Sequence, residues 1–190
     1  MKVGLFFGSF NPVHIGHLII ANIMVETSDL NKVWFIVSPQ NPHKVSKSLA
    51  HEFDRYDMVD AAIADNYHLS VSDIEFNMPK PSYTVDTLAY LTDKNPGKEF
   101  SLIIGEDNLR SFPKWKNHEV ILENYGLYVY PRPSANKPEL SSHANVHWID
   151  APILDISATY IRSLVKENKS IKYLVPESVE QLIKLRKLYT

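Results

Sequence analysis

The run Val33-Trp34-Phe35-Ile36-Val37 contains no polar residue and is built from β-branched and aromatic side chains. Successive side chains of a strand point to opposite faces, so an unbroken apolar run is satisfied only where both faces of a sheet are covered. Val3 to Phe7, Phe100 to Ile104 and Tyr125 to Tyr130 are runs of similar kind, and His68 to Ile74 alternates as a less buried strand should. Between them lie stretches of helical period: about His14 to Ser28, residues 51 to 65, Thr84 to Leu91, and a helix ending at Val120 to Asn124. This alternation predicts βαβ units wound into a Rossmann-like α/β domain, doubly wound, with a mostly parallel sheet. Pro131 and Pro133 open a polar surface loop, Ser134 to Ser142, and a short strand follows at Val146 to Ile149. Helices at about Ser157 to Glu167 and Pro176 to Leu188 give a helical C-terminal end. With no internal repeat, low-complexity tract or linker, residues 1–190 read as one domain.

Charge and composition narrow the function. Twenty basic residues against 22 acidic ones leave a formal charge of -2, so no bulk electrostatic attraction to nucleic acid is expected. The absence of cysteine excludes a disulfide scaffold, a thiolate metal site and a cysteine nucleophile. The longest apolar stretch, Leu18 to Val25, is broken by Asn22 and falls far short of the roughly 20 residues that span a bilayer. One lysine and a short strand make no signal peptide. The expectation is a cytoplasmic protein with no membrane and no nucleic-acid partner, self-association into a homo-oligomer being left open.

In a doubly wound sheet, ligands bind beyond the carboxyl ends of the strands, which places "GSFNPVHIGHL", Gly8 to Leu18, at the site. Gly8 lets backbone pass close to a ligand, Ser9 and Asn11 supply short polar groups, and Pro12 holds the turn. A helix starting near Val13 aims N–H groups and a partial positive charge at the same place, which favours phosphate. His14 and His17, three apart, share a face of the first turn and can donate to phosphoryl oxygens. Taken alone, an H-x-x-H pair could instead hold a metal or sit on the surface, although no third ligand is evident nearby; no protein metal ligand is therefore expected.

His14-Ile15-Gly16-His17 spells the HIGH signature of the nucleotidyltransferase superfamily. Further segments follow in order: "NPHK" (Asn41 to Lys44), "SYTVDTL" (Ser82 to Leu88), "IIGEDNLRSFPKWKN" (Ile103 to Asn117) and "ISATYIRSL" (Ile156 to Leu164). Together they make the chain similar, over nearly its whole length, to the bacterial nicotinate-nucleotide adenylyltransferase family. The resemblance implies adenylyl transfer from ATP to nicotinate mononucleotide, yielding deamido-NAD and pyrophosphate in NAD biosynthesis. Two departures stand out. Phe7 occupies the place of the family's first glycine, and Ala158 that of a second serine.

By that resemblance His14, His17 and Arg162 are the catalytic residues. Gly8, Ser9 and Phe10 line the nucleotide through their backbone, Lys44 adds a positive charge near the phosphates, and Ser157, Thr159 and Arg162 form a second anion site. Gly105 and Asp107 hold the adenosine ribose. On the acceptor side, Trp115 offers its face to the pyridinium ring, Tyr83 and Thr84 at a helix start receive the nicotinate carboxylate, and Lys44 and Arg132 reach the acceptor phosphate. Mg²⁺ is implied as a companion of ATP, held mainly by phosphate oxygens. The segment Asn41 to Leu49 is the candidate for movement on binding.

Three alternatives remain in view. "KVSKS", Lys44 to Ser48, imitates the second signature of the class I aminoacyl-tRNA synthetases, but it follows the HIGH motif too closely and the chain has no room for a tRNA-binding domain. The acceptor could be nicotinamide mononucleotide or phosphopantetheine, of which the second has no use for a ring-stacking tryptophan. A non-catalytic nucleotide-binding module would keep the cradle without needing both histidines and Arg162.

Overall fold

The computed structural model describes residues 1–39, 49–132 and 137–190. Six strands form one sheet: β1 (Lys2–Gly8), β2 (Lys32–Val37), β3 (Leu69–Ser72), β4 (Glu99–Gly105), β5 (Leu127–Tyr130) and β6 (Val146–Trp148). Their order is β3-β2-β1-β4-β5-β6, and every neighbouring pair is parallel. The seven helices described are α1 (Ile15–Thr27), α2 (Glu52–Ile63), α3 (Thr84–Lys94), α4 (Glu106–Ser111), α5 (His118–Tyr125), α6 (Ala158–Lys166) and α7 (Glu177–Leu185).

The apolar runs alternate between two cores, as two-sided strands must. Phe6, Val33, Phe35 and Ile103 join Met58 of α2, Ile161 of α6 and Val179 of α7 on one face. On the other face Leu5, Ile36, Leu102 and Ile104 meet Leu88 of α3, Leu109 of α4 and Ile121 of α5. Phe35, Leu5 and Leu102 are wholly buried. The fold is the expected doubly wound α/β domain with a helical C-terminal end, and its sheet is parallel throughout.

Several boundaries differ from expectation. The third strand stops at Ser72, and Ile74–Asn77 turns into a 3₁₀ helix that buries Glu75. The helix α4 springs directly from β4 with Gly105 as its N-cap, where no separate element was expected. The first helix begins at Ile15, so His14 is its N-cap and not a residue of its first turn. Among the described residues no helix is long and apolar enough to cross a membrane.

Strand order reverses at β1, which pairs with β2 on one side and β4 on the other. Connections from these strands leave in opposite directions and open a crevice beyond their carboxyl ends. Gly8 and Gly105 end the two strands that frame it. The C-terminal helix closes back on α2, where Ser178 Oγ donates to Ala61 O at 2.9 Å and Arg186 lies between Asp54 and Asp57, 2.7 Å from each. Just beyond it, Tyr189 returns to the crevice and donates its hydroxyl to Asn11 Oδ1 at 2.9 Å.

Candidate active site

The turn after β1 is shaped by its own aromatic ring. Phe10 takes a positive φ of 43°, and its ring folds beneath Gly8 so closely that a Cβ there would lie 2.8 Å from it. That ring is buried in the core, edge-on to Phe6, Phe35 and His17, so only the backbone of Phe10 is available to a ligand. The Asn11–Pro12 peptide is cis. Asn11 is buried, its Oδ1 accepting from Ala50 N at 3.1 Å and from Tyr189, and its carbonyl accepting from Arg162.

The two histidines hold each other. Extended backbone at His14 (φ -143°, ψ 168°) caps α1, its carbonyl accepting from His17 N at 2.9 Å while its N–H donates to His17 Nδ1 at 3.2 Å. A neutral imidazole carries one proton, and an Nδ1 that accepts leaves it on Nε2. His17 therefore presents an Nε2–H donor. The rings stack with centroids 3.7 Å apart and planes at 24°. Gly16 makes room for this arrangement, since a Cβ there would meet His14 Nδ1 at 3.1 Å. Burial and the nearby Arg132 guanidinium lower the His14 pKa from 6.5 to about 4; burial, then His14 and Arg132, push His17 well below the ordinary value. Both rings are neutral at physiological pH and present hydrogen-bonding groups without charge. His14 Nδ1 is buried with no hydrogen-bond partner among the described residues, a polar atom left for something else to satisfy.

Ser157, Thr159 and Arg162, expected to form a second anion site, lie together beside the same turn. Arg162 donates through Nη1 to Asn11 O at 2.8 Å and through Nη2 to Thr159 Oγ1 at 3.2 Å, so α6 is tied to the β1–α1 loop. Ser157 Oγ accepts from Tyr160 N at 3.2 Å as the N-cap of α6, which commits the hydroxyl to its own helix. At the end of β4, Asp107 Oδ1 occupies the space a Cβ on Gly105 would need, and the Tyr130 hydroxyl borders it at 3.2 Å. Glycine at 105 is what allows that carboxylate to fold back over the strand end.

A separate cleft of about 210 Å³ lies beside the loop. Gly8, Ser9, Ser38, Glu75, Tyr83, Thr84 and Trp115 are among its walls, so three of the residues expected at the acceptor, Tyr83, Thr84 and Trp115, come together there. Trp115 is half-buried against Phe112, with ring centroids 5.5 Å apart, and is free to present a face. Tyr83 is the N-cap of α3 and Thr84 its first residue; among the described residues no side chain caps this helix start. Lys116 Nζ stands 4.5 Å from the centre of the Tyr83 ring and 2.9 Å from Asp86.

Sequence reasoning passed over Glu75. It is 3% exposed in the cleft wall and accepts from Thr87 Oγ1 at 2.8 Å; burial pushes its carboxyl up, against the pull of the Thr87, Ser38 and Ser82 hydroxyls. A lone acid between Ile74 and Phe76 was its only signal. Arg132 stands beside the histidine pair. It lines a small hollow with His14, Gly16 and Tyr130 that shares no residue with the Trp115 cleft, its Nη1 donating to Leu154 O at 3.1 Å and its guanidinium 5.2 Å from the Tyr130 ring centre. Lys44 lies outside the described residues. Among the described residues no three His, Asp or Glu side chains gather to hold a metal.

A loop that turns at Phe10 and leads to a capping histidine pair, at the reversal point of a parallel sheet, fits a nucleotidyltransferase of the cytidylyltransferase-like class, and the pattern of that family matches residues 5–164. Relatives narrow it. The chain is 64% identical over 190 residues to a Cytophaga hutchinsonii protein named "Probable nicotinate-nucleotide adenylyltransferase", covering 100% of this chain and 99% of that one. A Flavobacterium johnsoniae protein of the same name is 51% identical over 191 residues, again covering 100% and 99%. The chain belongs to the nicotinate-nucleotide adenylyltransferase family. Its fold matches that of Plasmodium falciparum nicotinic acid mononucleotide adenylyltransferase complexed with NaAD, with a TM-score of 0.81 at 18% identity over 99% of this chain and 97% of that one.

The neutral histidines carry a stability signature. Between pH 6.5 and about 4 the unfolded chain takes up a proton at His14 that the folded chain refuses, so stability falls as pH is lowered through that window and levels off below it. His14 alone should cost about 2 kcal/mol between pH 7.5 and pH 5. Urea unfolding at the two pH values checks this, with a His14→Asn, His17→Asn double variant expected to show a clearly smaller acid loss.

Proposed function

We propose that the protein transfers the adenylyl group of ATP to nicotinate mononucleotide, with residues 1–190 working as one domain. The observation that carries the reading is the juxtaposition at Gly8 and Ser9. These residues border the Trp115 cleft and lead within a few residues to the histidine pair, so an acceptor in the cleft has its phosphate close to a triphosphate on the loop.

In this reaction an acceptor phosphate oxygen bonds to the α-phosphorus of ATP while the bond to pyrophosphate breaks on the opposite side. Little covalent work falls to the protein, which must align two anions and stabilise spreading charge. His17 Nε2–H donates to the reacting phosphate, and His14 offers its ring beside it. Arg162 and the N-terminus of α6 receive the leaving pyrophosphate, Ser157 and Thr159 fixing the helix start and the guanidinium. Asp107 accepts from the ribose hydroxyls. Arg132, grouped with His14 and not with the cleft, serves the nucleotide side of the transfer. The donors gathered at the loop are N–H groups, imidazoles and a guanidinium, a set suited to anions, so Mg²⁺ would be carried by the ATP phosphates, where it neutralises their charge. We place the reaction in the cytoplasm, with ATP and nicotinate mononucleotide as its partners.

Acid is distinguished from amide at α3. Its uncapped N-terminus, at Tyr83 and Thr84, favours a carboxylate through the N–H groups and the positive end of the dipole, and Trp115 stacks on the pyridinium ring. Pyrophosphate release measured with nicotinate mononucleotide and with its amide should show a preference for the acid of about tenfold or more in kcat/KM. Equal use would remove α3 from specificity, and release with neither would refute the reaction. Gly105→Ala, which evicts the Asp107 carboxylate, should raise the KM of ATP about tenfold and leave that of the acceptor within about twofold, as steady-state kinetics with each substrate varied would reveal.

A further inference from the structure

Arg55, in the first half of α2, is completely buried, yet among the described residues it has no carboxylate within ion-pair distance. Its guanidinium is instead devoted to main-chain carbonyls. Nε donates to Ala50 O at 2.9 Å, Nη1 to Ser9 O at 2.6 Å and to Ser38 O at 2.7 Å, and Nη2 to Pro39 O at 2.9 Å. Burying an unpaired cation is costly, and a fold that needed only packing here would be served as well by an apolar side chain. Burial does lower the Arg55 pKa, although arginine stays charged in proteins.

The carbonyls it gathers belong to both substrate regions. Ser9 lies in the loop between β1 and the histidine pair; Ser38 follows β2 and lines the acceptor cleft together with Glu75. A trans peptide is planar, with its C=O and N–H on opposite sides. Holding the Ser9 carbonyl toward α2 therefore turns the Phe10 N–H the other way, and it fixes the loop against the strand end that carries Ser38. One planar fork sets both, which an ammonium on a flexible stem could not do.

We propose that Arg55 is a positioning residue for the transfer: through Ser9 and Ser38 it sets the spacing between the nucleotide loop and the acceptor cleft, and its buried charge adds to the positive potential behind the loop. The proposal rests on the adenylyl-transfer reading. It predicts a loss in kcat out of proportion to any loss of stability, because each substrate still finds its own groups while their alignment is gone.

The test is steady-state pyrophosphate release by Arg55→Lys and Arg55→Gln at a temperature where urea titration shows each to be folded. Arg55→Lys, which keeps the charge but loses the fork, should lower kcat by about tenfold to a hundredfold with the acceptor KM within about twofold of wild type, and Arg55→Gln should fall further. Wild-type turnover in the same assay stands for the reading itself, so unchanged kcat in folded variants, with only the unfolding midpoint lowered, overturns the Arg55 role alone. A second measurement needs no variant. In the wild-type protein the ¹⁵N-resolved Arg55 Nε–H signal should shift when a non-hydrolysable ATP analogue binds, and a signal that stays in place while loop amides move would overturn the proposal.

Discussion

Strand β1 pairs in parallel with β2 on one side and β4 on the other, and the location of the chemistry follows from that double pairing. Both neighbours require crossover connections, which leave the sheet in opposite directions and cannot fill the space above the strand ends. Gly8, Ser38 and Gly105 all emerge into that space. The two hydrophobic cores on either face make the pairing rigid, since Phe35, Leu5 and Leu102 are wholly buried and lock the strands from both sides. A site built on such strand ends inherits their rigidity, and its remaining requirement is to orient a few polar groups.

Orientation is achieved by neutral groups and main chain more than by charge. His14 and His17 fix each other through the capping geometry of α1, and their mutual burial keeps both uncharged, so what they present to an anion is directed hydrogen bonding. Arg162 anchors on Asn11 O, Asn11 anchors on Ala50 and Tyr189, and Arg55 anchors Ser9 and Ser38. The loop between β1 and α1 is thus held by α2, α6 and the C-terminal residues together. This explains why residues so distant in sequence meet at one turn.

Much of this was legible beforehand, because its causes are local. Uninterrupted runs such as Val33 to Val37 report two-sided burial directly, and Gly8, Pro12 and the histidine spacing report a turn into a helix. The short helix α4 escaped notice because Glu106 to Ser111 has no capping side chain and no room for a periodic pattern. The expected third strand reaches to Ile74, yet its alternation already fails at Ser72-Asp73, where the chain turns into the 3₁₀ helix that buries Glu75. Arg55 was invisible for a different reason. In "HEFDRYD" it looks like one more solvated charge, and only carbonyls brought from Ser9, Ser38 and Pro39 by the tertiary fold make it a buried donor. The loop position of Arg132 does not tell on which side of the loop its guanidinium settles.

The central claim is that His17 meets the phosphates as a neutral imidazole with its proton on Nε2, held there by the His14 N–H. Imidazole ¹⁵N NMR of the selectively labelled protein at pH 7 reads this state directly. The account predicts a His17 Nδ1 signal typical of an unprotonated, hydrogen-bond-accepting nitrogen beside a protonated Nε2, unchanged on moderate acidification. Two protonated nitrogens, or a proton resting on Nδ1, would contradict it.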